Sequence, residues 1–104
     1  MRKIDLTEYM VDQDGKQLPY PMKEALAECL FAPDLIIRAL DLLKRDDLAR
    51  KIMAMEGDAA LLEEAEYAMV KAAVEAITKY VRNDVEFVKR VLNAPQVEVA
   101  EVTA

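Results

Sequence analysis

Histidine and tryptophan are absent from this chain, cysteine occurs once and glycine twice, and each shortage removes a class of chemistry. Without histidine there is no ordinary general base near neutral pH, no nucleophile-activating triad and no Glu-x-x-His ligand pair of a di-iron bundle. The lone Cys29 permits no internal disulfide and no thiolate set for zinc or iron-sulfur, so a reducing interior is the default compartment. Its place on the apolar side of a helical pattern reads as a small buried hydrophobe. Gly15 and Gly57 stand far apart, which excludes a phosphate-cradling P-loop and a dinucleotide fingerprint. "DQDGKQ" has the acids of a calcium loop but neither the preceding helix nor the later glutamate, and reads as a turn. These absences nominate no catalytic residue, no cofactor and no metal site, and the chain is read as a non-enzyme. Long apolar runs are missing too: nothing approaches 18 uninterrupted apolar residues, and "MRKIDLTEYMVDQDG" has no apolar leader core. No membrane association is expected.

What is present is a globular balance of 54% apolar and 33% charged residues over 104 positions, enough for one domain with its own core. A formal charge of -6 opposes a phosphate-neutralising surface, so nucleic acid is not the expected partner. The densest basic stretch, "RALDLLKRDDLARK" with Arg38, Lys44, Arg45, Arg50 and Lys51, is diluted by acids and has no aromatic to stack on a base.

Periodicity predicts a mainly α domain with an N-terminal β-hairpin. "KIDLTEYMV" is rich in strand formers, "DQDG" offers a four-residue connection with positive φ at Gly15, and "KQLPY" returns before Pro19 and Pro21 end it, which places the hairpin at 3–19. Pro21 then opens a helix over 22–31, and Pro33 opens another over 34–43 with Leu35, Ile36, Ala39, Leu40 and Leu43 as its apolar face. "KRDD" interrupts the pattern before a helix at 47–56 that Gly57 closes. A long spine follows at 59–81, and an Asn83 or Asp84 cap starts a last helix at 84–93 with Val85, Val88, Val91 and Leu92 to bury. Residues 1–95 make the compact domain. The acidic tail 96–104, where Val97 and Val99 alternate with Glu98, reads equally as an edge strand or as a loose docking segment.

The spine "LLEEAEYAMVKAAVEAITKY" carries four carboxylates. Wound at 100° per residue, it puts Glu64, Tyr67, Lys71, Glu75, Thr78 and Lys79 in one polar sector. Glu66 falls instead among Leu62, Met69, Ala73, Ile77 and Tyr80. A carboxylate there needs a partner, because burying a lone charge costs more than the face returns. Three readings follow: an ion pair with Arg50, Lys51 or Arg82, a place at the helix edge within reach of solvent, or an interface formed by Glu66, Met69, Ala73, Ile77 and Tyr80. The apolar arc from Leu61 and Ala65 round to Val70 and Val74 is too broad for one neighbouring helix, which points to a homo-oligomer or to several helices around it.

The ordered set "DLTEYMV", "LPYPMKEAL", "LFAPDL", "LDLLKRDDLARKI", "LLEEAEYAMVKAAVE" and "RNDVEFVKRVLNAPQVEV" resembles small accessory proteins encoded by tailed bacteriophages and prophages. The resemblance implies a protein made in the cytoplasm of a bacterial host and acting by binding, with no site residues to carry over. A structural or assembly accessory role through protein-protein contacts is the first expectation. A regulatory protein that binds a host factor through its acidic surface is the alternative, and a nucleic-acid binder is third.

Overall fold

The computed structural model describes residues 1–98 and shows a small, mostly α-helical domain with strands near the N-terminus. Strand β1 (Arg2–Asp5) runs antiparallel to β4 (Ala59–Leu62), with Arg2 opposite Leu62 and Asp5 opposite Ala59. Pairing buries Ile4, Ala60 and Leu62, the inward positions of a period-2 pattern. Beyond Asp5 the strand ends because its carboxylate accepts the Thr7 amide at 2.8 Å, a local turn that competes with the ladder. The other edge of β1 meets the end of the chain: Lys3 N–H donates to Pro95 O at 3.0 Å, Val97 N–H to Met1 O at 2.7 Å, and Arg2 bridges Gln96. Val97 therefore lies beside β1, whereas Val99 and the rest of the tail fall outside the described residues.

The hairpin is shorter than 3–19. It consists of β2 (Met10–Gln13) and β3 (Lys16–Pro19), with Gln13 opposite Lys16. The connection is two residues, not four: Asp14 and Gly15 have φ of 54° and 80°, the pair of positive φ values of a type I′ turn, which matches strand twist and pins the register.

Helix α1 (Met22–Glu28) passes into a 3-10 turn at Cys29–Phe31. The expected helices at 34–43 and 47–56 are instead one helix, α2 (Ala39–Ala54). Pro33 does not start it. A turn closes from Leu35 N–H to Ala32 O at 3.0 Å, and Asp34, which could have capped a helix there, accepts the Thr78 amide and hydroxyl at 2.9 and 3.1 Å. "KRDD" does not interrupt α2, since Asp46 and Arg50 pair one turn apart at 2.9 Å and Leu48, Ala49 and Ile52 bury beneath them.

The spine at 59–81 is also corrected. Its first four residues are β4, and the helix proper is α3 (Glu64–Ala76). Its C-terminus is set by competition for backbone partners: Thr78 N–H goes to Asp34, and Val74 O accepts the Tyr80 hydroxyl at 2.7 Å. Helix α4 (Val85–Leu92) follows a 3-10 turn at Arg82–Asp84. It buries Phe87 and Val91, while Val85 is 49% exposed.

One core joins these elements, with Ile4, Leu26, Leu30, Ile52, Leu62, Val70 and Val91 fully enclosed. Tyr9 stacks on Tyr20 at 4.9 Å and Tyr20 meets Phe87 at 6.1 Å, which seats the hairpin on α4. The Tyr20 hydroxyl donates to Asp84 at 2.7 Å. Burial and that carboxylate both push its pKa up. A radius of gyration of 14.3 Å with extents of 50 × 33 × 22 Å exceeds the roughly 13 Å of a compact chain this size.

Candidate interaction surface

Helix α3 does not present the arc that its wheel suggests. Tyr67 is 5% exposed and donates from its hydroxyl to Val91 O at 2.7 Å, so it faces the core and satisfies a carbonyl at the end of α4. The buried line is Tyr67, Val70, Ala73 and Val74. Leu61 and Leu62, which widen the arc on a helical wheel, belong to β4 and lie outside the helix.

Of the five positions singled out on this segment, Ala73 is fully buried, and Met69, Ile77 and Tyr80 are half-buried against the same core. Ile77 caps the helix and Tyr80 lies beyond it, so the five do not form one outward face. Glu66 sits in the first turn of α3. Its carboxylate accepts the Lys51 ammonium at 2.8 Å and the Glu63 amide at 2.9 Å. Burial raises its pKa, but the Lys51 contact and the Glu63 amide outweigh burial and hold the carboxyl below its ordinary value. The geometry is that of a helix-start clamp joining α3 to α2 within one chain. Among the alternatives read from the sequence, Lys51 is the cation that reaches it. The outward side of α3 carries Ala65, Ala68, Ala72 and Ala76, which offer little area.

Cys29 is 6% exposed and its thiol donates to Leu26 O at 3.0 Å. Burial pushes its pKa up to about 12, so the thiolate is scarce near neutral pH.

A cavity of about 680 Å³ lies between β1, the start of β4 and α4. Lys3, Lys89 and Arg90 line it together with Asp5, Asp58 and Glu86, so its charges cancel in pairs. Arg90 is already committed: its guanidinium meets Glu86 at 2.8 Å, donates to Asp5 O and Thr7 O at 3.3 and 2.6 Å, and lies 4.9 Å from the Tyr9 ring. These contacts hold the β1–β2 connection on α4. No group of three His, Cys, Asp or Glu side chains able to hold a metal occurs among the described residues.

The largest departure from ordinary burial is on α2. Every residue from Ala39 to Lys44 is exposed, so the first turn and a half of the helix stands clear of the core. Leu40 is 74% exposed, Leu43 63% and the preceding Ile36 96%. The sequence correctly marks these residues as an apolar face, but the structure turns that face outward. The core-facing side of α2 is Leu48, Ala49 and Ile52, and one hundred degrees per residue carries Leu40 and Leu43 to the opposite side. The lead-in is fixed, since Asp34 is bonded to Thr78 and Leu35 packs on the core. Apolar exposure gathered on one short segment makes it the candidate interaction surface.

No helix among the described residues is long and apolar enough to cross a membrane. Comparison with protein-family models, with curated proteins and with solved structures finds no significant match to this chain.

Proposed function

We propose that this chain is a non-enzymatic structural or assembly accessory protein of a tailed phage or prophage, acting through protein-protein contacts inside the bacterial host. The observation that carries the contact role is the outward apolar face of Ile36, Leu40 and Leu43. Leaving three such side chains in water forgoes roughly 1.5–3 kcal/mol each, and a partner that covers them recovers it. The sequence resemblance supplies the phage context.

The test is to produce a tagged chain during phage growth and weigh its partners after cross-linking. The reading predicts phage-encoded proteins or assembly intermediates in fixed stoichiometry, lost in Leu40→Lys/Leu43→Lys while the fold survives. A single stoichiometric host protein and no phage component would instead favour regulation of that host factor, a role that the net charge of -6 suits if the target patch is basic.

A further inference from the structure

We infer that the outer edge of β4 is a docking site for an extended, basic segment of a partner protein, which joins the sheet as a further strand. This surface is separate from the exposed face of α2. The argument starts from the direction of the backbone groups. Leu6 N–H donates to Asp58 O at 2.7 Å, one step beyond the paired residues of β1 and β4. Bonded and non-bonded pairs alternate in an antiparallel ladder, so Ile4 with Ala60 and Arg2 with Leu62 are the bonded pairs. The backbone groups of Lys3, Asp5, Ala59 and Leu61 then point away from the ladder. On the β1 side they are used: Lys3 N–H donates to Pro95 O, and Asp5 O accepts Arg90. On the β4 side, among the described residues, the N–H and C=O groups of Ala59 and Leu61 have no partner, and β4 ends the sheet. Leu61 is 37% exposed, so the edge is open to solvent. An antiparallel segment of only three residues pairs all four groups. In this mode main-chain bonds supply affinity and flanking side chains select the partner.

Charge selects the occupant. From Glu56 to Glu66 the chain carries five acids and no base. Glu64 is paired with Arg2 and Glu66 with Lys51. Glu56, Asp58 and Glu63 are exposed, and among the described residues none of them has an ion-pair partner. These three bracket β4 at both ends. Two copies joined edge to edge about a two-fold at Ala60 would set Glu63 of one between Glu56 and Asp58 of the other, and the symmetry would repeat that repulsion. The acidic end of a second copy, with Glu98 and Glu101, meets the same opposition. A segment with a cation at each end reverses the sign of every one of these contacts. The strand's alternation sets the rest of the chemistry: Ala60 and Leu62 face the core while Ala59 and Leu61 face outward, so the incoming segment is β-branched and apolar on one face and small and polar on the other.

The probe is the peptide acetyl-Lys-Val-Thr-Val-Thr-Val-Lys-amide, titrated into the full chain and followed by amide NMR. Centred on Ala60, it sets one lysine opposite Glu63 and the other between Glu56 and Asp58, with its threonines bonded to Ala59 and Leu61. Four backbone bonds and two exposed charge pairs correspond to a dissociation constant of about 0.1–1 mM. Saturable shifts are expected at the amides of Ala59 to Leu61, with slower hydrogen exchange at Ala59 and Leu61. Glutamate in place of both lysines is expected to weaken binding about tenfold. Leu61→Pro removes an outward N–H and spares the ladder bonds of Ala60 and Leu62, a place where an edge strand tolerates proline; it is expected to weaken the peptide about tenfold or more. Methylating the two threonine nitrogens of the peptide makes the same test without touching the protein, and the same loss is expected. No shift at Ala59 to Leu61 at about 1 mM peptide, equal binding by the methylated peptide, or tighter binding by the glutamate peptide would each overturn the inference. Any of those results leaves the contact face of α2 standing, since Leu40 and Leu43 take no part in the test.

Discussion

Replacing Arg90 by methionine keeps the apolar stem and deletes the charge that fastens the β1–β2 connection to α4. The side chain is 14% exposed, so its contacts are shielded better than those of a surface arginine. It donates to Thr7 O at 2.6 Å and Asp5 O at 3.3 Å, bonds of a charged donor that contribute about 1.5–3 kcal/mol each at most. Stacking over Tyr9 adds about 0.5–1 kcal/mol and the pair with Glu86 about 0.3–0.5 kcal/mol. The carbonyls regain water when the guanidinium leaves, so the net loss is predicted at about 2–4 kcal/mol. A 104-residue domain has roughly 5–15 kcal/mol in total. Arg90→Met should therefore remain folded, with Tm lower by roughly 10–25 °C. Urea unfolding gives the loss at unchanged m-value, and amide exchange locates it at Thr7 to Tyr20, while the buried amides of α3 fall only with global stability. A loss below about 1 kcal/mol with unaltered exchange in the hairpin would refute the fastening role.

Two further outcomes follow from buried or clamped groups. Tyr67→Phe removes the hydroxyl that reaches Val91 O at 2.7 Å and should cost about 1 kcal/mol in urea unfolding; no change would mean that water replaces it. Glu66 has a folded pKa below the ordinary value of 4.5, so its contribution is complete above that value and disappears as pH falls through the folded pKa. The stability difference between wild type and Glu66→Gln should be about 0.5–1 kcal/mol at pH 7 and shrink below pH 4.5; a difference that grows on acidification would contradict the Lys51 clamp.

Much of this architecture is written in local signals. The change of pattern at Pro21, the Asp-Gly turn and the last helix behind Asn83 and Asp84 are all readable, because turn chemistry and capping act within a few residues. Two of the failures share a cause: a distant group takes a backbone partner that the local sequence does not show. "AALL" looks helical until β1 arrives to pair with it, and "AITKY" looks helical until Asp34 claims the Thr78 amide. Counting Ala59 to Leu62 as helix widens the apolar arc through Leu61, whereas Tyr67 stands on the wheel at the border between Lys71 and Val74 and is drawn inward by its hydroxyl bond to Val91 O.

The need of Glu66 for a cation followed from its place among apolar neighbours, and Lys51 was among the cations available to it. The contact surface was half legible. Leu40 and Leu43 stand out as apolar positions on one side, but an apolar stripe has no sign for inward or outward. Direction came from Leu48, Ala49 and Ile52, which α2 buries in preference, and from the merging of two expected helices into one rod whose front half runs past the core.

The measurement closest to the central claim compares α2 with α3 directly. Leu43→Cys and Ala72→Cys place a reactive thiol on the outward side of each helix, and the buried Cys29 stays silent. A photo-activated cross-linker attached through either thiol joins it to whatever partner lies against that helix. Covalent partner adducts are predicted from Leu43→Cys during phage growth and none above background from Ala72→Cys. Cross-linking through position 72 and not 43, or through neither, would contradict the assignment of the contact surface to the projecting end of α2.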